Sequence, residues 1–555
     1  MRPSHHHALG RRGLRRAAAP LLAVAIATAA CTGTSGAPGD PPTASKAGPA
    51  ARVAGGCKAL PKLVERARRG YVPGRSPQVL VIPHEPNYVG TPEMPVHSGP
   101  WDYLAEVPLV MFGPGVIGSE GAVDAPATMA DIVPTTARLI GFEGFSTPDG
   151  RPLPGAATGA PISSPRPRLV VVVVWDGGGW NVLREHPRAW PFLRGLMTKG
   201  VHYPRMTVGS TPSVTPPIHT TLGTGVYPRS HGIAYVRMKT PEGVYGDPFE
   251  GNSPALIRAP TLADVYDRAM GNKPLIGTVA TVSWHLGMMG HGALAQDGDA
   301  DTAVLLNDVG MTYGDPSIYS IPAIDEPEAL IAGARRLDGT DGALDGAWMG
   351  HSLDDTAIRY ATPAYVNYQE RILERLIGRE GFGDDNVPDL LYTNFKSPDD
   401  AGHKWGMTSP EVGAVVSSVD RALAELVGFL DAEVGRGRWV VMVTADHGQT
   451  RYPHQSGAWP IRGGEMAGDL NETFDSVENQ VPLVERVTSA GISMDTRELA
   501  ATGASLEDIA RAAARYTAED NLEPGGELPQ AWRDREDAPL FDAAMVGRRV
   551  VARSC

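Results

Sequence analysis

The stretch Leu169-Val-Val-Val-Val-Val-Trp175 is an unbroken, mostly β-branched run closed by Asp176 and three glycines, Gly177 to Gly179. Strict alternation would mark a strand with one wet face. A continuous apolar run of this length marks a strand covered on both faces, as in the middle of a parallel sheet. Runs of the same kind stand at 79–83, 107–112, 274–279, 390–394 and 439–444. Between them, helical periodicity is readable at 127–140, 190–198, 261–269, 364–377 and 411–434. Strands alternating with helices predict an α/β fold: a layered αβα sandwich around a mostly parallel central sheet, with its chemistry beyond the C-terminal ends of the strands.

The chain has 555 residues, 42% hydrophobic and 20% charged, with a formal net charge of −13. That is a globular, enzyme-sized composition, and it argues against a disordered or multi-span membrane protein. The acidic balance argues against general nucleic-acid binding, which needs a basic face. The first 30 residues carry the opposite sign. Arg11, Arg12, Arg15 and Arg16 precede an apolar run from Ala17 that ends in Thr28-Ala29-Ala30-Cys31. This reads as a signal peptide over 1–30. Its apolar run falls short of the ~20 residues that span a bilayer.

The small residues before Cys31 resemble a bacterial lipobox. They imply a lipid anchor at Cys31 and a place on the outer face of the bacterial cytoplasmic membrane, with plain secretion as the alternative. Residues 31–56 are Gly, Pro, Ala, Ser and Thr with almost no large apolar side chain, a flexible tether. The two remaining cysteines, Cys57 and Cys555, flank the folded part, and an oxidising compartment would permit a disulfide between them. Residues 146–168 are rich in Pro and read as a linker. Residues 236–389 read partly as an insertion covering the sheet. Within them Asp297, Asp299 and Asp301 resemble the start of a calcium loop, but Thr302 stands where the loop needs Gly and no Glu closes it, so a solvated acidic turn is expected.

Four motifs set hard or borderline metal ligands just past expected strands or on a constrained turn. Asp176 follows the central run. Asp399 and His403, in Pro398-Asp-Asp-Ala-Gly-His403, follow the run ending in Phe395, and a turn can bring such a pair onto one zinc ion. Asp446-His447-Gly448 follows the run at 439–444. Finally, Thr215 lies in Thr211-Pro-Ser-Val-Thr-Pro-Pro-Ile-His219, with Tyr227-Pro-Arg-Ser-His231 beyond it. A hydroxyl on a Pro-bounded turn that opens a helix, whose free N–H groups attract anions, suits a nucleophile for phosphoryl transfer.

In their order along the chain these motifs resemble the alkaline phosphatase superfamily, and most closely its type I phosphodiesterase/nucleotide pyrophosphatase branch. The resemblance implies a hydrolase with two divalent metal ions, expected to be zinc, and a Thr nucleophile that becomes phosphorylated. Thr215 matches that nucleophile. Asp176, Thr215, Asp446 and His447 match the ligands of the nucleophile-side metal, and Asp399 and His403 match two ligands of the other. The family keeps the third of these, a His, well downstream of Asp-His-Gly, where this chain has only His454, seven residues on. The N-terminal part offers His97 instead: the segment from His97 through Gly113-Pro-Gly115 and on to Asp149-Gly-Arg-Pro-Leu153 resembles the family's C-terminal portion. This implies a circular permutation, with 57–145 as the transposed part, 146–168 as the join and 169–555 as the main domain, and with His97 as the missing ligand.

The family pattern places a phosphoryl-binding Asn where this chain has Val236. Arg237 and Lys396 are the candidates to bind the substrate oxygen in its stead. His219, His231, His285 and His291 are expected to be structural. The expected substrate is a small phosphorylated molecule, a diester or pyrophosphate before a monoester. The alternative is a catalytically silent exported binding lipoprotein that keeps the fold.

Overall fold

The computed structural model describes residues 61–156, 166–523 and 525–551. The expected signal peptide, the tether, the lipidation site at Cys31 and the Cys57–Cys555 disulfide lie outside the described residues. No described helix is long and apolar enough to cross a membrane.

The strands that position the chemistry are, in chain order, β1 (Val79–Pro83), β2 (Leu109–Phe112), β3 (Gly121–Ala122), β4 (Leu169–Trp175), β5 (Val201–His202), β6 (Ile276–Ala280), β7 (Thr302–Leu306), β8 (Thr312–Tyr313), β9 (Asp389–Phe395), β10 (Trp439–Thr444), β11 (Val484–Thr488), β12 (Gly491–Met494) and β13 (Phe541–Val546). Nine of them form the central sheet in the order β8-β7-β6-β9-β4-β10-β2-β5-β3. The strands β7, β6, β9, β4 and β10 run parallel.

The run Leu169–Trp175, β4, is the middle strand, and every one of its residues is buried. Its alternate side chains enter two separate cores. Val170, Val172 and Val174 pack with helices α1 (Met129–Leu139), α2 (Thr215–Thr224) and α3 (Leu262–Ala269). Leu169, Val171, Val173 and Trp175 pack with α4 (Pro363–Glu380) and α6 (Pro410–Leu430). Between those two helices in the chain lies α5 (Ser397–Trp405), which carries two of the candidate ligands. Helix α6 begins where its sequence dictates: Pro410 sits in the first turn and the Ser409 hydroxyl accepts from the Val412 amide.

Register explains where the site lies. Trp175 stands level with Phe395 and Val174 with Thr444, so the chain leaves three adjacent parallel strands at one edge of the sheet. Asp176, Asp399 and Asp446 follow at that edge. Strand β2 is antiparallel to β10, with Leu109 opposite Thr444. Running the other way, β2 brings its N-terminal approach, and with it His97, to the same edge.

Two expectations change. Residues 79–83 are a strand, but not of the central sheet: β1 belongs to a second, antiparallel sheet in the order β11-β12-β1-β13. Here the burial of both faces comes from helices α7 (Gly463–Phe474) and α8 (Leu506–Ala513) on one side and from Leu63, Ala67 and Trp101 on the other. Residues beyond Arg451 supply three of the four strands of this sheet. Within 236–389, β6 and β7 are integral to the central sheet. The described start of 146–168 is docked rather than loose: Asp149 pairs with Arg229 and accepts from the Tyr227 amide at 3.0 Å, Asp131 accepts from the Arg151 amide at 2.8 Å, and Leu153 is buried.

Candidate active site

Thr215 opens α2 and is 2% exposed. The expectation of several free helix N–H groups there needs correction. Pro216 and Pro217 have none, and the Ile218 amide bonds the Val214 carbonyl at 3.3 Å. Of the first-turn amides, Thr215's own is the one left to face an anion. The Thr215 hydroxyl instead receives a hydrogen bond from the Lys396 ammonium, 3.1 Å away. The same ammonium lies 2.7 Å from Asp399 Oδ2 and 3.0 Å from Asp176 Oδ1. Lys396 is itself buried, so its charge is held by these carboxylates rather than by water.

Two groups of ligand atoms stand side by side. In one, His97, Asp399 and His403 bring ligand atoms within 4.8 Å of one another. The Nε2 atoms of His97 and His403 are 3.6 and 3.4 Å from Asp399 Oδ1. In the other, Asp176, Asp399 and His447 do the same, and Asp446 Oδ2 lies 3.1 Å from His447 Nε2. The rings of His97 and His447 stack at 3.6 Å between centroids and join the two groups. His97 is fixed through the loop that leads into Thr215: its Nδ1 donates to the Ser213 carbonyl at 3.0 Å, and the Ser213 hydroxyl donates back to the His97 carbonyl at 2.8 Å. This leaves Nε2, facing Asp399, with its lone pair.

Thr215, Asp176, Asp399, His403, Asp446, His447, His97 and Lys396 are therefore together. Arg237 is not among them. Its side chain is exposed and its guanidinium reaches the Tyr245 carbonyl at 3.4 Å in a surface hairpin. His454 is exposed too, stacked on Tyr452. His231 and His291 make structural contacts, with the Thr221 hydroxyl and Asp264 respectively. His219 bonds the Thr215 carbonyl at 2.8 Å as expected of a structural residue. It also reaches into the site, because Asn394 Nδ2 donates both to His219 Nε2 at 2.8 Å and to Asp176 Oδ2 at 2.9 Å. His285 Nε2 lies 3.5 Å from the same Asp176 oxygen, so His219 and His285 form a third metal-capable group with Asp176. Asn394 was missed by sequence reasoning. The available signal was an amide at the end of an otherwise apolar strand.

Asp399 Oδ1, Asp446 Oδ2 and His447 Nε2 are buried and have no hydrogen-bond partner. The buried His447 ring donates from Nδ1 to the Gly448 carbonyl, so Nε2 is the free lone pair. Orphaned carboxylate oxygens and an imidazole nitrogen converging at a buried site fit divalent cations, and an oxygen and nitrogen donor set suits zinc or manganese. The electrostatics agree. Burial, with His447 next, holds His97 well below the ordinary histidine range, so its ring is neutral. Burial works in the same direction on His447, but Asp446 first, then Asp399 and Asp176, overcome it and push that ring up to about 9; even with the Lys396 ammonium beside them, these carboxylates favour a further positive charge at Nε2, a proton or a divalent cation in its place. Burial would raise Asp399; Lys396 first and then His403 outweigh it and keep this carboxylate ionised.

Gly177 and Gly402 let the strand ends close in. Gly177 has φ +66°, and a Cβ there would lie 2.6 Å from Gln449 Nε2 and 3.0 Å from Asp399 Cα. A Cβ on Gly402 would lie 1.8 Å from Gln449 Oε1.

A layered α/β sheet carrying this ligand set at its strand ends defines the alkaline phosphatase superfamily. The profile of the family described as type I phosphodiesterase/nucleotide pyrophosphatase matches residues 170–462, and the chain belongs to that family. Alkaline phosphatase PafA of Elizabethkingia meningoseptica is 28% identical over 131 residues, 23% of this chain and 24% of that protein. Human ectonucleotide pyrophosphatase/phosphodiesterase family member 5 is 23% identical over 287 residues, 52% of this chain and 46% of that protein. The matches thus span about a quarter to a half of these relatives' length. The crystal structure of wild-type PafA superposes with a TM-score of 0.51 at 18% identity, over 69% of this chain and 85% of that one, a likeness of fold.

Proposed function

We propose that this protein is an exported, lipid-anchored, metal-dependent phosphohydrolase that cleaves phosphodiester, pyrophosphate or phosphomonoester bonds in small substrates through a phospho-threonine on Thr215. The reading rests on one observation: the orphaned, buried ligand atoms of Asp399, Asp446 and His447 converge within reach of the Thr215 and Lys396 side chains. Asp176, Thr215, Asp446 and His447 would hold one zinc ion; His97, Asp399 and His403 would hold the other. When bound, such ions lower the pKa of the hydroxyl and neutralise charge on the phosphoryl and leaving oxygens.

The chain's own residues do the rest. The Thr215 hydroxyl gives its proton to water and Oγ1 forms a bond to phosphorus, while the bond to the leaving oxygen breaks with its electron pair on that oxygen, which takes up a proton from water. Lys396, already a donor to Thr215 Oγ1, stabilises negative charge there and supplies the cation that Val236 cannot offer to a phosphoryl oxygen. Asn394 and His285 hold Asp176 in place, and His219 ties that arrangement to the Thr215 carbonyl. Water then cleaves the phospho-threonine and restores the hydroxyl. Antiparallel delivery of His97 by β2 supports the permutation, with 146–168 as the join between former ends.

Lys396 also favours the second reading, a silent binding protein, because a buried ammonium can neutralise the carboxylates without any metal. Metal content and turnover separate the two. The zinc-supplemented mature chain should hold close to two zinc ions and hydrolyse bis-p-nitrophenyl phosphate or p-nitrophenyl phosphate. His97→Ala should hold close to one and lose turnover. A wild-type chain that holds no zinc and turns over neither substrate contradicts the proposal.

A further inference from the structure

The acidic turn at 297–301 is not simply solvated. Asp301 is 8% exposed and immediately precedes β7, at the edge of the sheet opposite the candidate active site. There it meets Asp299 and, from the last turn of α3, Asp267, with ligand oxygens of all three within 4.8 Å of one another. Asp267 is 4% exposed, and its Oδ1 is buried without a hydrogen-bond partner. No Lys, Arg or His pairs with any of the three among the described residues. Asp267 also sits at the negative end of its helix, where an uncompensated carboxylate is least favoured. A buried carboxylate without a donor or counter-ion is costly, and the remaining compensations are a proton or a cation.

We propose that Asp267, Asp299 and Asp301 form a separate binding site for a hard divalent cation of the calcium class, which fastens the end of α3 to the start of β7. Three carboxylates from two segments supply the all-oxygen set that such an ion takes, with backbone carbonyls and water completing it. The site differs from a contiguous calcium loop in that the helix supplies what the loop sequence lacks. Its role is structural: it holds two elements that carry β6 and β7 rather than touching the reacting atoms.

The test uses the full mature chain, loaded with zinc, stripped of calcium and titrated with calcium chloride at pH 8, by calorimetry and by thermal melting. Wild type should take up one calcium ion per chain and melt at a higher temperature. Asp299→Asn and Asp301→Asn should each bind calcium at least about tenfold more weakly, as charge count in the site falls. Asp299 is exposed, so its variant keeps the test valid if Asp301→Asn does not fold, and its turnover should match wild type. The rival is a proton shared between Asp267 and Asp299. No calcium uptake by wild type, unchanged affinity in Asp299→Asn, or a melting temperature indifferent to calcium would overturn the proposal in favour of that proton.

Discussion

Replacing Lys396 with Met should tighten metal binding while slowing turnover. The ammonium is 2.7 Å from Asp399 and 3.0 Å from Asp176, all three buried. In the metal-free chain its removal leaves two buried carboxylates uncompensated, and breaking a buried pair this way costs about 3–5 kcal/mol. In the metal-loaded chain the ions themselves supply the missing positive charge, so most of that cost disappears. The difference must then enter the binding equilibrium. At ~1.4 kcal/mol per tenfold, zinc should bind Lys396→Met between ~100-fold and a few thousand-fold more tightly. Turnover should nonetheless fall, since the variant loses the ammonium that donates to Thr215 Oγ1, and Lys396→Arg should recover part of it. Competition against a chromophoric zinc chelator measures the first effect on the full chain. Zinc affinity that is unchanged or weaker in Lys396→Met would refute the electrostatic argument.

Other consequences follow from single contacts. Gly402→Ala forces a methyl to within 1.8 Å of Gln449 Oε1 between Asp399 and His403; the soluble variant should lose activity and one bound zinc, which metal analysis and an assay at saturating zinc can check. Asn394→Leu removes the donor shared by Asp176 and His219 and should destabilise the chain by about 1–3 kcal/mol, with a lower kcat and little change in KM. Glu370, buried on α4, is pushed by burial first and then by Glu374 from 4.5 up to about 9. Its folded state keeps a proton that the unfolded chain releases, so this contribution is present at low pH and lost as pH rises towards 9. Glu370→Gln should therefore gain stability relative to wild type between pH 6 and pH 9; a difference that stays constant with pH contradicts the assignment.

The sequence made the central sheet legible because a two-sided strand leaves a contiguous apolar signal, and because the motif residues follow those strands directly. Most of the candidate site was readable for the same reason: Asp176, Asp399 and Asp446 are fixed by where three runs end. What escaped depends on pairing between distant segments. The second sheet joins residues 79–83, 484–494 and 541–546 through antiparallel contacts that no local periodicity announces. Asn394 looked like an interior strand residue until its neighbours were fixed across α2. Arg237 and Lys396 looked equivalent as cations near motifs, yet one points out of a hairpin and the other is enclosed by carboxylates. Asp267 carried no signal at all, since its partners lie some thirty residues on in another loop.

The central claim is that Thr215 forms a covalent bond to phosphorus. Acid quenching of the zinc-loaded chain during turnover of bis-p-nitrophenyl phosphate, followed by peptide mass spectrometry, tests it most directly. The account predicts a phosphoryl-bearing peptide with the modification on Thr215, absent from Thr215→Ala, which should also be inactive. Equal turnover by wild type and Thr215→Ala, with no modified peptide in either, would contradict it.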